Sequence, residues 1–458
     1  MNCVWITTDS FRRDHVRACR PEGPLDPHAE PVPVRTPSLD ALAADSVVFD
    51  WMLAEALPTV PQRRGIFTGR RVFPFRDEPA VKGVTPDFPG WRPIPQTDVT
   101  VAEHLRDHGY VTAMVADTYH LMKPSMNMHR GFAGFEWVRG QENDLWRTEQ
   151  PPEGVLARHL KPGAPAGEGP MRVLRQFLAN HAGLSGEDDL PVARTFRRAI
   201  EWLDGNRRAG KFFLYVDTFT PHEPWLPPER LVERYDPGYE GRRLIYGNPY
   251  RRSQLTDAEH RHLRARYAAC CTLVDEWVGR LLEALDAGGR ADETLVVLMS
   301  DHGKIVGEFD HYGMPAADMG TALARVPCMI RHPAARAAGT RFPGRLYNVD
   351  VTATVLGLLG VPDKPGMDGR DVWPAVAAGA DRFRDVLVTG YAGVVAAWEG
   401  DWLYLQQAAG GPAALYDLAA DPFRRRELAR RRPDVRRRLA RRADRILSGR
   451  GDPEPEAP

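Results

Sequence analysis

Short apolar runs separated by longer stretches of helical periodicity set the plan of this chain. The runs Cys3–Thr8, Val111–Ala116, Phe212–Val216, Leu295–Met299 and Val326–Ile330 read as strands. Between them, Pro37–Asp45 and Val99–Gly109 carry helical patterns. A longer pattern over Asp257–Ala287 places Leu263, Tyr267, Leu273, Val274, Trp277, Leu281 and Leu285 at helical spacing. This alternation predicts an α/β fold whose central, mostly parallel sheet is flanked by helices. In open sheets of that kind, sites gather beyond the carboxyl ends of the strands. Asp9 and the pair Asp301-His302 each stand just past such an end.

Pro/Gly-rich stretches at Pro21–Pro37, Arg76–Pro95 and Gln150–Pro170 interrupt the pattern and read as loops, the last of them as a surface excursion or a lid. A boundary is expected near Trp373–Arg382. Past it, Val386–Thr389, Val394–Trp398 and Trp402–Gln407 alternate like an antiparallel sheet. The expected division is a catalytic domain over 1–375, a C-terminal subdomain over 376–450 and a disordered tail over 451–458. Arg424–Arg445 carries a dozen arginines, yet Leu428, Val435, Leu439, Ala443 and Ile446 form an apolar stripe between them. That pattern reads as a packed amphipathic helix with a solvated arginine face.

Composition narrows the class. Lys+Arg and Asp+Glu both number 61, so no global field argues for nucleic acid or a membrane as partner. The first strand begins at once, with no basic leader or cleavage motif before it, and no run reaches membrane-spanning length. The five cysteines are odd in number and lack metal spacing; adjacent Cys270 and Cys271 fall in a helical pattern and read as apolar core. A cytoplasmic location is expected.

The segment Leu57-Pro58-Thr59-Val60-Pro61-Gln62-Arg63, continuing through Thr68-Gly69-Arg70, resembles the active-site signature of the sulfatase family, a branch of the alkaline phosphatase superfamily. That family writes Cys or Ser, then x-Pro-x-Arg and Thr-Gly-Arg. Here the first position is Thr59, which is not a substrate for conversion to formylglycine, so no formylglycine is expected. Asp117-Thr118-Tyr119-His120, Pro221-His222-Glu223-Pro224, Val349–Gly360, Asp368-Gly369-Arg370 and Leu415–Pro422 echo further family blocks in the same order. The resemblance spans about residues 2 to 425. It implies an alkaline-phosphatase-like α/β sandwich with a small C-terminal α+β lobe.

It also implies roles. Asp9, Asp301 and His302 match the family's metal ligands, with the Thr59 oxygen completing the set; Arg63, His120 and His222 match groups that orient the substrate anion. Ser10 stands where the family often has a second acid or amide, which leans the site from calcium toward zinc or manganese; magnesium is also carried. Two family lysines are replaced, by Thr118 and Met314, and Lys304 is expected to point elsewhere. Asp217, His222 and His311 could then supply a second metal site, or a histidine among them the leaving-group acid. Taken singly, Asp9 also fits a turn cap, Asp301-His302-Gly303 a polar loop and Thr59 a helix N-cap.

The expected activity is metal-dependent hydrolysis of a phosphate, phosphonate or sulfate ester, with a small anionic ester as the partner. Two alternatives stay open: a degenerate family member with a binding or assembly role, and a phosphoryl-group transferase. Trp91, Trp137, Trp146, Trp225 and Tyr250 fall in expected loops, where they suit a ring-bearing leaving group or plain packing equally.

Overall fold

The first strand, β1 (Asn2–Thr8), sends alternate side chains into two cores. Val4 and Ile6 join one cluster, Cys3 and Trp5 the other. Successive strand residues face opposite sides, so a run that is apolar throughout must be covered by helices on both faces. The computed structural model describes residues 1–19 and 33–449, apart from Asp77, Ala80, Thr85, Pro124 and 164–166.

In chain order the strands continue as β2 (Val47–Leu53), β3 (Tyr110–Ala116), β4 (Gly134–Trp137), β5 (Lys211–Thr218) and β6 (Thr294–Ser300). Next come a small hairpin of β7 (Ile305–Val306) and β8 (Tyr312–Gly313), then β9 (Arg325–Val326), β10 (Cys328–Arg331) and β11 (Thr340–Tyr347). The main sheet runs β11-β2-β10-β6-β1-β5-β3-β4, with β9 also paired to β2. Pairing is parallel except where β10 and β9 enter. The expected strand Val326–Ile330 is thus two antiparallel pieces. Pro327 between them lacks a backbone N–H and breaks the ladder.

One face is covered by the helices Asp257–Ala287 and Pro191–Gly205. The other is covered by Thr59–Thr68 and Asn348–Leu358. The helix Asp257–Ala287 matches its expected span and begins in a capping box between Thr256 and Glu259. Cys270 and Cys271 are buried free thiols in it. The stretch 150–170, expected as a loop, contains the helix Glu153–Arg158 and the start of Glu168–His181. Most of Pro21–Pro37 and all of 451–458 lie outside the described residues.

A second, antiparallel sheet orders β12 (Val386–Tyr391), β13 (Val394–Glu399), β14 (Trp402–Gln407) and β15 (Ala414–Asp417) in sequence. The helix Pro433–Leu447 lays Val435, Leu439, Ala443 and Ile446 against it. Among the described residues no helix is long and apolar enough to cross a membrane.

Candidate active site

Three acids meet because three neighbouring parallel strands end together. The register pairs Thr7 with Asp217 across β1 and β5, and Thr8 with Ser300 across β1 and β6. One residue further, Asp9 and Asp301 leave the sheet side by side. The Asp9 N–H donates to the Thr218 carbonyl at 2.9 Å and the Asp301 N–H to the Thr8 carbonyl at 3.0 Å. Ser10 turns the chain in the left-handed region, at φ 61. There its N–H reaches Asp301 Oδ1 at 3.0 Å and its hydroxyl donates to Asp9 Oδ1 at 2.9 Å.

The helix Thr59–Thr68 comes up beneath them with every residue buried. Gly65 permits its close packing: a Cβ there would lie 2.7 Å from Asn348 Nδ2. Asn348 in turn donates to the Gln62 carbonyl at 3.1 Å, and Thr352 to the Ile66 carbonyl at 2.8 Å. From this helix Arg63 forks onto Asp217 at 2.8 and 2.9 Å, reaches Asp9 Oδ2 at 3.2 Å and pairs with Asp301. All four side chains are fully buried. Of the two roles the sequence suggests for Arg63, holding the charge around Thr59 and orienting a substrate anion, this pairing suits the first. Its guanidinium is spent on carboxylates, and its position at the centre of the cluster leaves no face toward a ligand.

Thr59 opens the helix with its Oγ1 3.3 Å from His302 Nε2. The other ring nitrogen of His302 lies 3.0 Å from the Gly303 carbonyl, so Nδ1 carries the proton and Nε2 the lone pair. That lone pair faces Asp301 Oδ2 at 3.4 Å and Asp9 Oδ1 at 3.8 Å. Asp9, Asp301 and His302 are the group among the described residues whose ligand atoms lie within 4.8 Å of one another. Three buried acids share one guanidinium here, and an imidazole lone pair points at two of them. Buried charge of that kind needs a counterion; a divalent cation fits the donor set. The acids register the strain. Burial alone would raise Asp9, but the neighbouring His302 and Arg63 hold it well below the usual carboxylate range. Burial and the facing Asp9 push Asp301 well above it.

A second polar group closes the other side. Phe219 stacks on His222, with ring centroids 4.1 Å apart. His222 Nδ1 donates to the Glu223 carbonyl at 2.7 Å, which leaves Nε2 bare and 3.4 Å from Lys304 Nζ. Lys304 is buried and ion-paired with Glu223. Burial, followed by the Lys304 charge, pushes His222 down to about 3. Glu142 joins from a loop, 3.9 Å from His222 and 3.7 Å from His120, and accepts the Tyr119 hydroxyl at 2.5 Å.

Lys304 corrects the expectation that it points elsewhere. A Cβ on Gly303 would strike the Ala322 carbonyl at 2.0 Å. The chain at this glycine runs close against that backbone, and Lys304 turns toward His222. Glu142 and Glu223 carried no signal of their own in sequence, since a loop acid gains meaning only from what it faces.

The suggested second metal set does not assemble. Asp217 has Arg63 on both oxygens, with the Thr118 hydroxyl at 2.5 Å and the Tyr215 hydroxyl at 3.0 Å besides. Thr118 thus supports Asp217. His311 sits apart, held by Asp318 at 2.5 Å and by Arg251. Of the aromatics, Trp225 and Tyr250 are core. Trp91 packs edge-on against His120 at 4.9 Å, beside the polar group.

Comparison with known proteins follows this geometry. The family model described as Sulfatase matches residues 1–361. The chain is 26% identical over 441 residues to the multifunctional alkaline phosphatase superfamily protein PehA of Trinickia caryophylli, covering 82% of this chain and 77% of that one. It is 30% identical over 366 residues to the choline-sulfatase of Rhizobium meliloti (strain 1021), covering 72% and 67%. The crystal structure of the phosphonate monoester hydrolase of Agrobacterium radiobacter matches with a TM-score of 0.70 at 21% identity, over 98% of this chain and 95% of that one. That last likeness is one of fold.

Proposed function

The chain belongs to the sulfatase family of the alkaline phosphatase superfamily, and from that premise we propose a metal-dependent hydrolase of phosphate or phosphonate esters with Thr59 as its nucleophile. The observation that carries the reading is the place of Thr59 Oγ1, at the start of a buried helix and 3.3 Å from His302 beside Asp9 and Asp301. Phosphorus is favoured over sulfur on chemical grounds. A formylglycine hydrate expels sulfate by reforming its aldehyde, and a threonine sulfate has no such exit. A phosphothreonine can be opened by water in line.

Asp9, Asp301, His302 and Thr59 would hold the cation. When bound, a divalent cation supplies Lewis-acid charge that lowers the pKa of a facing hydroxyl and offsets the ester's oxygens. The chain's own groups do the rest. Thr59 loses its proton to solvent, a bond forms from Oγ1 to phosphorus, and the ester P–O bond breaks. The leaving oxygen takes a proton from Lys304 Nζ, which stands beside His222 Nε2. Water then attacks phosphorus, the Oγ1–P bond breaks, and solvent returns the protons to Thr59 and Lys304. His120, against Glu142 and Trp91, borders the ester's path. Arg63 holds the three acids in place.

Purified protein loaded with zinc or manganese is assayed on aryl phosphate mono- and diesters, an aryl phosphonate monoester and an aryl sulfate. The expected result is turnover of a phosphorus ester that Thr59→Ala lowers by about a thousandfold or more. Wild-type rates equal to those of Thr59→Ala on every substrate would remove the enzyme reading and leave a binding role.

A further inference from the structure

Away from the acids, a cavity of about 320 Å³ opens between the main sheet and the C-terminal sheet. Arg13, Trp51 and Arg325 line it from one side, Asp401, Leu418 and Pro422 from the other. Its charge is unbalanced. Arg13 donates to Asp50 Oδ1 at 2.8 Å, and Arg341 pairs with the same carboxylate. Arg325 donates its Nε only to the Asp50 backbone carbonyl, at 2.7 Å. Arg325 and Arg345 lie on the Trp51 ring, 3.9 and 4.8 Å from its centroid. Arg13, Arg341 and Arg325 therefore share the single carboxylate of Asp50, while Arg345 faces Asp401 and Glu399.

The acids of the lining do not redress this. Asp14 is committed to Arg12 at 2.8 and 2.9 Å and to His15 at 3.0 Å, and Asp401, exposed at the rim, faces Arg345, which leaves Arg325 without an acid of its own in the lining. Arg325 lines the cavity with a backbone carbonyl, not a carboxylate, as its hydrogen-bond partner, and Arg13 beside it is only 5% exposed. Burial, then the neighbouring Arg13 charge, pushes Arg325 down to about 9 despite Asp50. An anion entering the cavity would relieve that repulsion.

We propose that this cavity is a second oxyanion site, distinct from the hydrolytic one, which takes a tetrahedral anion of the phosphate or sulfate kind. Guanidinium forks match such oxygens in pairs. Trp51, Leu418 and Pro422 give the cavity an apolar wall beside the arginines. The inference does not depend on Thr59 being the nucleophile.

Isothermal titration of the full chain with inorganic phosphate, and separately with sulfate, at constant ionic strength tests it. The variants are Arg325→Gln, Ala419→Trp and His222→Ala, each checked for wild-type circular dichroism. Ala419 is exposed at the cavity wall, so the tryptophan plugs the space without deleting a cation. The expected result is saturable binding that weakens tenfold or more in Arg325→Gln and Ala419→Trp and persists in His222→Ala. Whether phosphate or sulfate binds tighter identifies the natural anion. Binding lost in His222→Ala and kept in the other two would place the anion in the hydrolytic site and overturn the proposal, as would the absence of saturable binding of either anion to the wild type.

Discussion

Arg63 holds three buried acids with one charge, which makes it the side chain the site can least spare. Replacing it by methionine leaves those acids facing one another without a cation. The expected cost is about 3–5 kcal/mol, read as a lower urea midpoint for Arg63→Met measured without added metal. Lys304 poses a different question. If it delivers the leaving-group proton, Lys304→Met should slow esters with poor, alkyl leaving groups by about a hundredfold or more. Nitrophenyl esters, which need little protonation, should slow much less. Equal losses on both would assign Lys304 to structure alone. The direction of this side chain could not be read from its neighbours in sequence. It depends on how Gly303 passes the Ala322 carbonyl, a contact between segments that only folding brings together.

Elements explain which strands were legible. β1, β5 and β6 are apolar along their length because both faces are covered, and their ends fell within a residue or two of expectation. β2 escaped because Asp50 interrupts Val47–Leu53. That acid belongs in the strand for a reason outside it, since it carries Arg13 and Arg341. The helix bearing Thr59 was legible from its motif, but its tight seat on Asn348–Leu358 was not. Gly65→Ala puts a methyl 2.7 Å from Asn348 Nδ2, and overpacking of that order costs about 1–3 kcal/mol. The expected outcome is a lower melting temperature together with reduced kcat, because the shift is passed to Thr59. Restored melting in the double variant Gly65→Ala, Asn348→Ala, read by calorimetry, would identify the contact as the cause.

Across the whole molecule, bound metal and pH should set stability. A cation at Asp9, Asp301 and His302 binds only the folded chain, so a hundredfold excess over its Kd adds about 2.7 kcal/mol. Zinc or manganese is expected to raise the unfolding midpoint of the wild type and to leave that of Asp301→Asn unchanged. His260 gives the pH term. Burial, with the nearby Arg252 and Arg264, pushes it down to about 3 from an ordinary 6.5. The unfolded chain takes up this proton near pH 6.5 and the folded chain does not, so the contribution is complete above that value and is lost as pH falls toward 3. Between pH 7.5 and pH 5 it amounts to about 2 kcal/mol. His260→Gln should flatten the pH dependence of the urea midpoint by that amount.

The acids meet only because β5, β1 and β6 lie side by side, yet Ser10 and Asp301, which bond each other, stand 291 positions apart in the chain. No fragment that stops short of β6 can contain the site. During synthesis the helix Thr59–Thr68 and β1 leave the ribosome long before Asp301, and must wait with Asp9 and Arg63 unpaired by it. Capture of the proposed cation is therefore expected only late in the life of the polypeptide. A nascent chain that acquires the ion has finished threading its central strands.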